Sequence, residues 1–181
     1  MPSQRRPVPH ASPLAPALVV AALALALVLG ACGSSSPQSQ ASTFIAEHHQ
    51  QSQVVTEGAT DADSALAALS SPPTHEQLSA LALAAQRGHD LIARAHGEWV
   101  TAEGGAEETL SLAEIEADVG ANEMRDALGG LVAYTRHPDA ATLARYRAQL
   151  KGGGEKWNEA IGQIWHLGGS SNPPMLPVHL G

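Results

Sequence analysis

Apolar residues in the middle of the chain recur every three or four positions, which is the spacing of one face of an α-helix. Four stretches follow this pattern, at about 42–69, 75–101, 112–136 and 138–167. They are rich in Ala, Leu, Glu, Gln and Arg and lack β-branched runs, so strands are not expected. Because the connections are short, we predict an all-α fold, an antiparallel four-helix bundle with up-down-up-down topology.

Each predicted helix has an apolar face that is expected to line the core. These faces comprise Phe44, His48, Val55, Ala59, Ala62, Leu66 and Leu69; Leu78, Leu81, Ala85, His89, Ile92, His96 and Trp99; Ala113, Ala117, Ala121, Met124, Leu128 and Leu131; and Leu143, Tyr146, Leu150, Trp157, Ile161, Ile164 and Trp165. Much of this set is alanine, so closely spaced helices must supply much of the packing. The tryptophans are expected to be the bulky core fillers, with docking of a partner as the alternative.

Local signals predict where the helices begin and where one is interrupted. Thr74 with Gln77, and Ser111 with Glu114, have the spacing of a capping box, in which two residues satisfy each other's free backbone N–H groups. Three consecutive glycines at 152–154 predict a kink or a short loop in the last helical stretch.

A short basic region and an apolar run open the chain. Arg5 and Arg6 precede residues 17–29, a run of 13 positions that holds only Ala, Leu and Val. This is the length of a signal-peptide apolar region, and it falls short of the roughly 20 residues that a membrane-spanning helix needs. The arginine pair raises a twin-arginine export route, but the residues around it fit ordinary export better.

The sequence Leu29-Gly30-Ala31-Cys32 follows this run and resembles the lipobox of bacterial lipoproteins. The resemblance implies cleavage between Ala31 and Cys32, a diacylglycerol on the Cys32 sulfur and often an acyl group on the new amino end. Two or more acyl chains give stable membrane anchoring. Cys32 is the only cysteine, so an intrachain disulfide is impossible. The alternative is a plain signal peptide or an uncleaved anchor with an incidental cysteine.

The chain is thus expected to have four parts. Residues 1–31 are the signal peptide that is removed, and 32–41 are the lipidated cysteine and a Ser- and Gln-rich flexible tether. Residues 42–167 form the bundle. Residues 168–181, rich in Pro, Gly and Ser, are expected to be an unstructured tail, with a partner-binding peptide as the alternative.

The mature chain is strongly acidic. Removal of Arg5 and Arg6 with the signal peptide leaves 8 basic and 18 acidic residues, a formal charge of −10. This argues against nucleic-acid binding, which needs clustered Lys and Arg, and against a basic face on anionic lipid. Six carboxylates gather around one connection, for which a solvated face is expected, with weak cation binding as the alternative: Glu103, Glu107, Glu108, Glu114, Glu116 and Asp118.

Sequence signatures of catalysis are missing. The chain has no Gly-x-Ser-x-Gly elbow, no phosphate-binding glycine loop with the required Lys and Ser or Thr, and no Glu-x-x-His pair of a di-iron bundle. His75-Glu76-Gln77-Leu78-Ser79 fails as a zinc-protease helix, because Ser79 stands where the second histidine must be. We therefore expect no enzymatic activity and no cofactor apart from the covalent lipid.

Histidines near one end of the bundle are the remaining chemical feature. If the helices alternate in direction, His48, His96, His166 and Glu114 all fall close to the same end. Imidazole with carboxylate suits zinc, copper, iron or nickel, so these four residues are a candidate metal site. Packed or surface histidines are the plainer interpretation.

Two functions remain. The first is a lipoprotein anchored at the extracytoplasmic face of the cell membrane, with a non-enzymatic role in binding an envelope protein or supporting the envelope. The alternative is a metal-binding or metal-sensing helical bundle that uses the histidines near one end.

Overall fold

A computed structural model describes residues 36–99 and 108–177, apart from the side chains of 97–99 and 108–109. The predictions for residues 1–31, for Cys32 and for the Trp99 side chain lie outside this part. The described residues form four helices, α1 (Pro37–Ala67), α2 (His75–Trp99), α3 (Glu108–Tyr134) and α4 (Ala140–Leu167), and no strand. The prediction of an all-α four-helix bundle is confirmed.

The start of α2 follows the predicted capping box. The Gln77 backbone N–H donates to Thr74 Oγ1 at 3.2 Å, and the Thr74 backbone N–H donates to Gln77 Oε1 at 2.9 Å. At the start of α4, Asp139 accepts a hydrogen bond from the Thr142 backbone N–H at 2.8 Å. Both helices therefore begin where side-chain oxygens satisfy backbone donors that would otherwise lack a partner.

Helix α1 begins at Pro37, five residues before the predicted start at residue 42, so part of the predicted tether 32–41 is helical. The Ser39 backbone N–H donates to Ser36 Oγ at 3.2 Å, which makes Ser36 the cap. Pro37 suits the first turn because its φ is already helical and its missing N–H is not needed there. The added turn is packed against the rest of the domain, since Ala41 is fully buried.

Neither the second predicted capping box nor a loop within the last helical stretch is found in the described residues. Helix α3 begins at Glu108, so Ser111 and Glu114 lie within the helix and cannot form its capping box. Helix α4 runs without interruption through the glycines at 152–154. Of these, Gly153 and Gly154 are buried, and packing against α3 offsets the low helix propensity of glycine.

Contacts along the helices establish their relative directions. Ser42 Oγ lies 3.1 Å from the Gly168 carbonyl oxygen, whereas Leu66, near the other end of α1, accepts from Arg147 Nη2 at 2.9 Å. Residue numbers therefore increase along α1 while they decrease along the adjacent part of α4, which shows that the two helices are antiparallel. The same inverse order holds between α2 and α3 and between α3 and α4, in the pairs His89–Gly129 and His96–Asp118, and Gly120–Gly153 and Gly130–Tyr146.

The core is made largely of the predicted apolar faces, but His89 and His96 of the predicted α2 face lie outside it, with 36 % and 24 % of their side chains exposed. In α1 the residues Phe44, Val55, Ala59, Ala62 and Leu66 are at most 7 % exposed, and the six predicted residues of α3 are at most 3 % exposed. Trp157 and Trp165 are the largest fully buried side chains of the described residues. The outermost predicted positions, such as Leu69 and Leu143, are only partly buried and pack at the edge of the core.

Glycines face each other where two pairs of helices meet. A Cβ atom on Gly120 of α3 would lie 2.8 Å from both the Gly153 carbonyl oxygen and the Trp157 amide nitrogen of α4. A Cβ on Gly58 of α1 would lie 3.1 Å from Gly88 Cα of α2. Backbones approach at these points to a distance that no larger residue allows, which is how an alanine-rich core reaches close packing.

The chain after α4 is held against the bundle through residue 177. Gly169 takes a positive φ of 74°, which ends the helix and turns the chain. Asn158 on α4 then donates from Nδ2 to the Leu176 carbonyl oxygen at 3.1 Å and accepts from the Leu176 backbone N–H at 2.8 Å. Leu176 is 2 % exposed. Residues 168–177 have no regular secondary structure, but they are attached to the bundle and do not match the expected unstructured tail.

Candidate functional site

His48 lies in the core of the bundle. Its side chain is 5 % exposed and its ring packs on Phe44, with 4.5 Å between ring centroids. Burial lowers the pKa of His48 below its ordinary value, and the nearby Glu47 carboxylate opposes this shift. Its backbone carbonyl accepts from Ser52 Oγ at 2.9 Å. A neutral, packed imidazole accounts for this environment.

His96 joins α2 to α3. Its Nε2 lies 2.6 Å from Asp118 Oδ1 and 2.8 Å from Asn122 Nδ2. Asn122 Nδ2 also donates to the Asp118 backbone carbonyl at 3.0 Å, so the three side chains form one compact polar cluster. Nε2 can donate to Asp118 or accept from Asn122, depending on whether it carries a proton. Both contacts use the same ring nitrogen, and the cluster ties two helices together.

The other two predicted ligands have different surroundings. His166 is exposed in the last turn of α4, next to the buried Trp165. Glu114 is half-buried in α3, and burial raises its pKa above the ordinary value.

The four residues predicted to bind a metal at one end of the bundle do not form a metal site in the structure. The aromatic contact between His49 and Trp165, with centroids 6.0 Å apart, places the neighbouring His48 and His166 at the same end. Residues at one level still point in different directions, because each step along a helix turns the side chain by about 100°. Within 36–99 and 108–177, no three or more His, Cys, Asp or Glu side chains are grouped so that they could hold a metal ion.

The concavities between the described elements include a groove and a cavity. A groove of about 350 Å³ between α1 and α2 is lined by Gln50, Gln51, Val54, Leu91, Arg94 and Ala95. A second cavity of about 280 Å³ lies at the opposite end, where the α1–α2 and α3–α4 connections meet, and its lining includes Tyr134, Asp139 and Arg147. Both are open to solvent, and neither gathers the candidate histidines.

An exposed apolar stripe runs along the first half of α3. Leu112, Ile115 and Val119 are 56 %, 57 % and 41 % exposed, and their spacing of three and four residues puts them on one face. They account for three of the five large exposed hydrophobic residues in the described part, and the other two, Leu83 and Met175, are isolated from them in sequence. We call these three residues the α3 stripe, and we take it as the candidate functional surface.

The sequence contained a signal for this surface. Once Ala113, Ala117 and Ala121 are assigned to the core, the larger neighbours at 112, 115 and 119 must point away from it. Between residues 112 and 121, α3 therefore turns its small residues inward and its larger apolar residues outward, which departs from the usual amphipathic pattern. This reversed placement of small and large apolar residues belongs to no catalytic or metal-binding motif, and it is typical of a contact surface.

No helix among the described residues is both long and apolar enough to cross a membrane. The lipidation and cleavage positions, Ala31 and Cys32, lie outside the described residues, so their assignment rests on the sequence alone. Comparisons with protein-family models, with curated proteins and with solved structures found no match to this chain.

Proposed function

We propose that this protein is a lipoprotein, held at the extracytoplasmic face of the cell membrane by lipid on Cys32, whose helical bundle binds a partner in the envelope without catalysing a reaction. The observation that carries the anchoring is the ordered series of Arg5 and Arg6, the apolar run 17–29 and the lipobox ending at Cys32. A thioether-linked diacylglycerol with a further acyl chain would give an attachment that a single chain cannot.

The binding role is supported by the kind of surface that the bundle offers. Its polar side chains of chemical interest are engaged in holding the fold: His48 is packed in the core, and His96 bonds across α2 and α3. Its large exposed apolar residues are concentrated in the α3 stripe. Contiguous apolar surface on an otherwise polar protein commonly marks a protein–protein contact.

Metabolic labelling with a fatty-acid probe in a bacterial host tests the anchoring. Wild type is expected to incorporate the probe and to fractionate with membranes. Cys32→Ser is expected to remain an unlipidated precursor that does not incorporate the probe, because thioether formation requires the sulfur. The double variant Cys32→Ser/Ser39→Cys is a matched control. It keeps one thiol but places it outside the lipobox, so it is expected to remain unlabelled. Equal labelling of wild type and Cys32→Ser would refute the lipoprotein assignment.

A further inference from the structure

The α3 stripe has the dimensions of a contact with a single helix. From Leu112 to Val119 the helix advances about 10 Å, at 1.5 Å per residue. Its three side chains form one ridge in which Ile115 is the most exposed. An amphipathic helix could lay its own apolar positions along this ridge, as in other helix-recognition modes.

The Asp and Glu residues along the first half of α3 have no Lys or Arg among them. From Glu108 to Met124, α3 contains five acidic residues and no Lys or Arg. Glu116, next to Ile115, is exposed. The charged contacts that the structure gives α3 in this range are Lys156 of α4 with Glu123 and His96 of α2 with Asp118. Glu116 and the strongly negative mature chain therefore leave the surroundings of the stripe acidic.

This charge decides between the possible occupants. A second copy docking through the same stripe would bring acidic α3 against acidic α3. Anionic lipid headgroups would be repelled in the same way. A basic helix is attracted by the carboxylates while its apolar face covers the stripe.

We infer that the α3 stripe, Leu112, Ile115 and Val119, is the docking surface for a cationic amphipathic helix of another protein. This inference rests on the proposed binding role and specifies the chemistry of the partner. It does not depend on lipidation, so the two can fail separately.

The test uses the full mature chain 32–181 with Cys32→Ser, which removes lipid from the measurement. The probe is a synthetic, fluorescently labelled helix of about 18 residues, long enough to hold helical structure, with Leu on one face and Lys on the other. The Cys32→Ser chain with no further substitution is the reference. It is expected to bind this peptide, with an affinity that falls as the salt concentration rises. Ile115→Ser is expected to weaken binding at least about tenfold, and Glu116→Gln is expected to weaken it less and to reduce the salt dependence.

Leu83→Ser is the matched control, because Leu83 is 74 % exposed on α2 and lies outside the stripe. It is expected to bind like wild type. A peptide with Glu in place of every Lys is expected to bind at least about tenfold more weakly. The inference is overturned if the Lys peptide does not bind, if the Glu peptide binds equally well or if Leu83→Ser weakens binding as much as Ile115→Ser.

Two further measurements separate the alternative occupants. Sedimentation is expected to show a monomer, and a wild-type dimer that Ile115→Ser converts to monomers would assign the stripe to a second copy. Vesicles of phosphatidylcholine with phosphatidylglycerol are expected not to bind the Cys32→Ser chain. Vesicle binding that is lost in Ile115→Ser would assign the stripe to the membrane. Either result overturns the inference.

Discussion

Asn158 bonds both backbone polar groups of Leu176, so one amide side chain on α4 pairs with the chain after the helix as a neighbouring strand would. Thr56 of α1 lies on the other side of this segment, with its Oγ1 2.9 Å from the Pro174 carbonyl oxygen. The buried Leu176 side chain and these polar contacts together close the seam between α1 and α4.

Replacing either partner is expected to destabilise the bundle. Leu176→Ala should lower the free energy of unfolding by about 2–3 kcal/mol through lost burial and a residual cavity. Asn158→Ala should lower it by about 1–3 kcal/mol, because the Leu176 N–H and carbonyl lose their partners. Urea denaturation measures both. Met175→Ala is the control, since Met175 is 44 % exposed, and its effect should stay within about 0.5 kcal/mol. An Asn158→Ala chain as stable as wild type would show that the attachment contributes nothing.

Replacing two helical glycines by alanine is expected to change the free energy of unfolding in opposite directions. Gly120→Ala places a Cβ 2.8 Å from backbone atoms of α4, so the helices must move apart, at a cost of about 1–3 kcal/mol. Gly162→Ala meets no atom within 4 Å. It should stabilise the protein by about 0.5–1 kcal/mol, because alanine favours the helix over glycine. Thermal and urea denaturation of both variants check this pair, and a stabilising Gly120→Ala would contradict the close approach of α3 and α4.

The buried His48 is expected to make stability depend on pH. Its pKa is lowered in the folded protein by burial, so between the ordinary value of 6.5 and the lower folded value the unfolded chain binds more protons. The free energy of unfolding therefore falls as the pH drops below about 6.5, and this loss is absent above it. Urea denaturation at pH 8, 7, 6 and 5 measures the effect.

Two variants isolate the contribution of His48. His48→Gln cannot titrate, so its stability relative to wild type should improve as the pH falls from 7 to 5. His166→Gln is the control for the same substitution at an exposed histidine. Taking differences also cancels Glu114, whose raised pKa acts in the opposite direction by adding stability at low pH that is lost as the pH rises. A constant difference between His48→Gln and wild type would exclude a neutral buried His48.

The parts of the fold that depend on local sequence could be predicted. Thr74 and Gln77 cap α2 through contacts three residues apart, and the periodic positions of α1 and α3 fill the core. The early start of α1 also had a local signal, since Ser36 precedes Pro37, but the polar composition of that segment favoured a tether. The attachment of Leu176 could not be predicted, because it depends on an amide 18 residues away along the chain.

The candidate site shows the same division. Periodicity and topology placed His48 and His166 correctly at one end of the bundle. The height of a residue along its helix follows from its residue number, because the rise per residue is constant. Direction around the helix depends on how the four helices rotate against each other, and this turned His48 inward while leaving His166 exposed. The α3 stripe follows from the same rotation, which buries Ala113, Ala117 and Ala121 and leaves Leu112, Ile115 and Val119 outside.

The glycine contacts between α1 and α2 and between α3 and α4 have a consequence for how this protein tolerates variation. In most cores the largest residues are the hardest to replace, because truncation leaves a cavity. Here Gly88, Gly120 and Gly153 each face backbone or side-chain atoms that would lie within 3 Å of an added Cβ. A saturation-mutagenesis survey should therefore find its least permissive positions among the smallest side chains, and a homologous domain would be recognised more readily by paired glycines than by its bulky core.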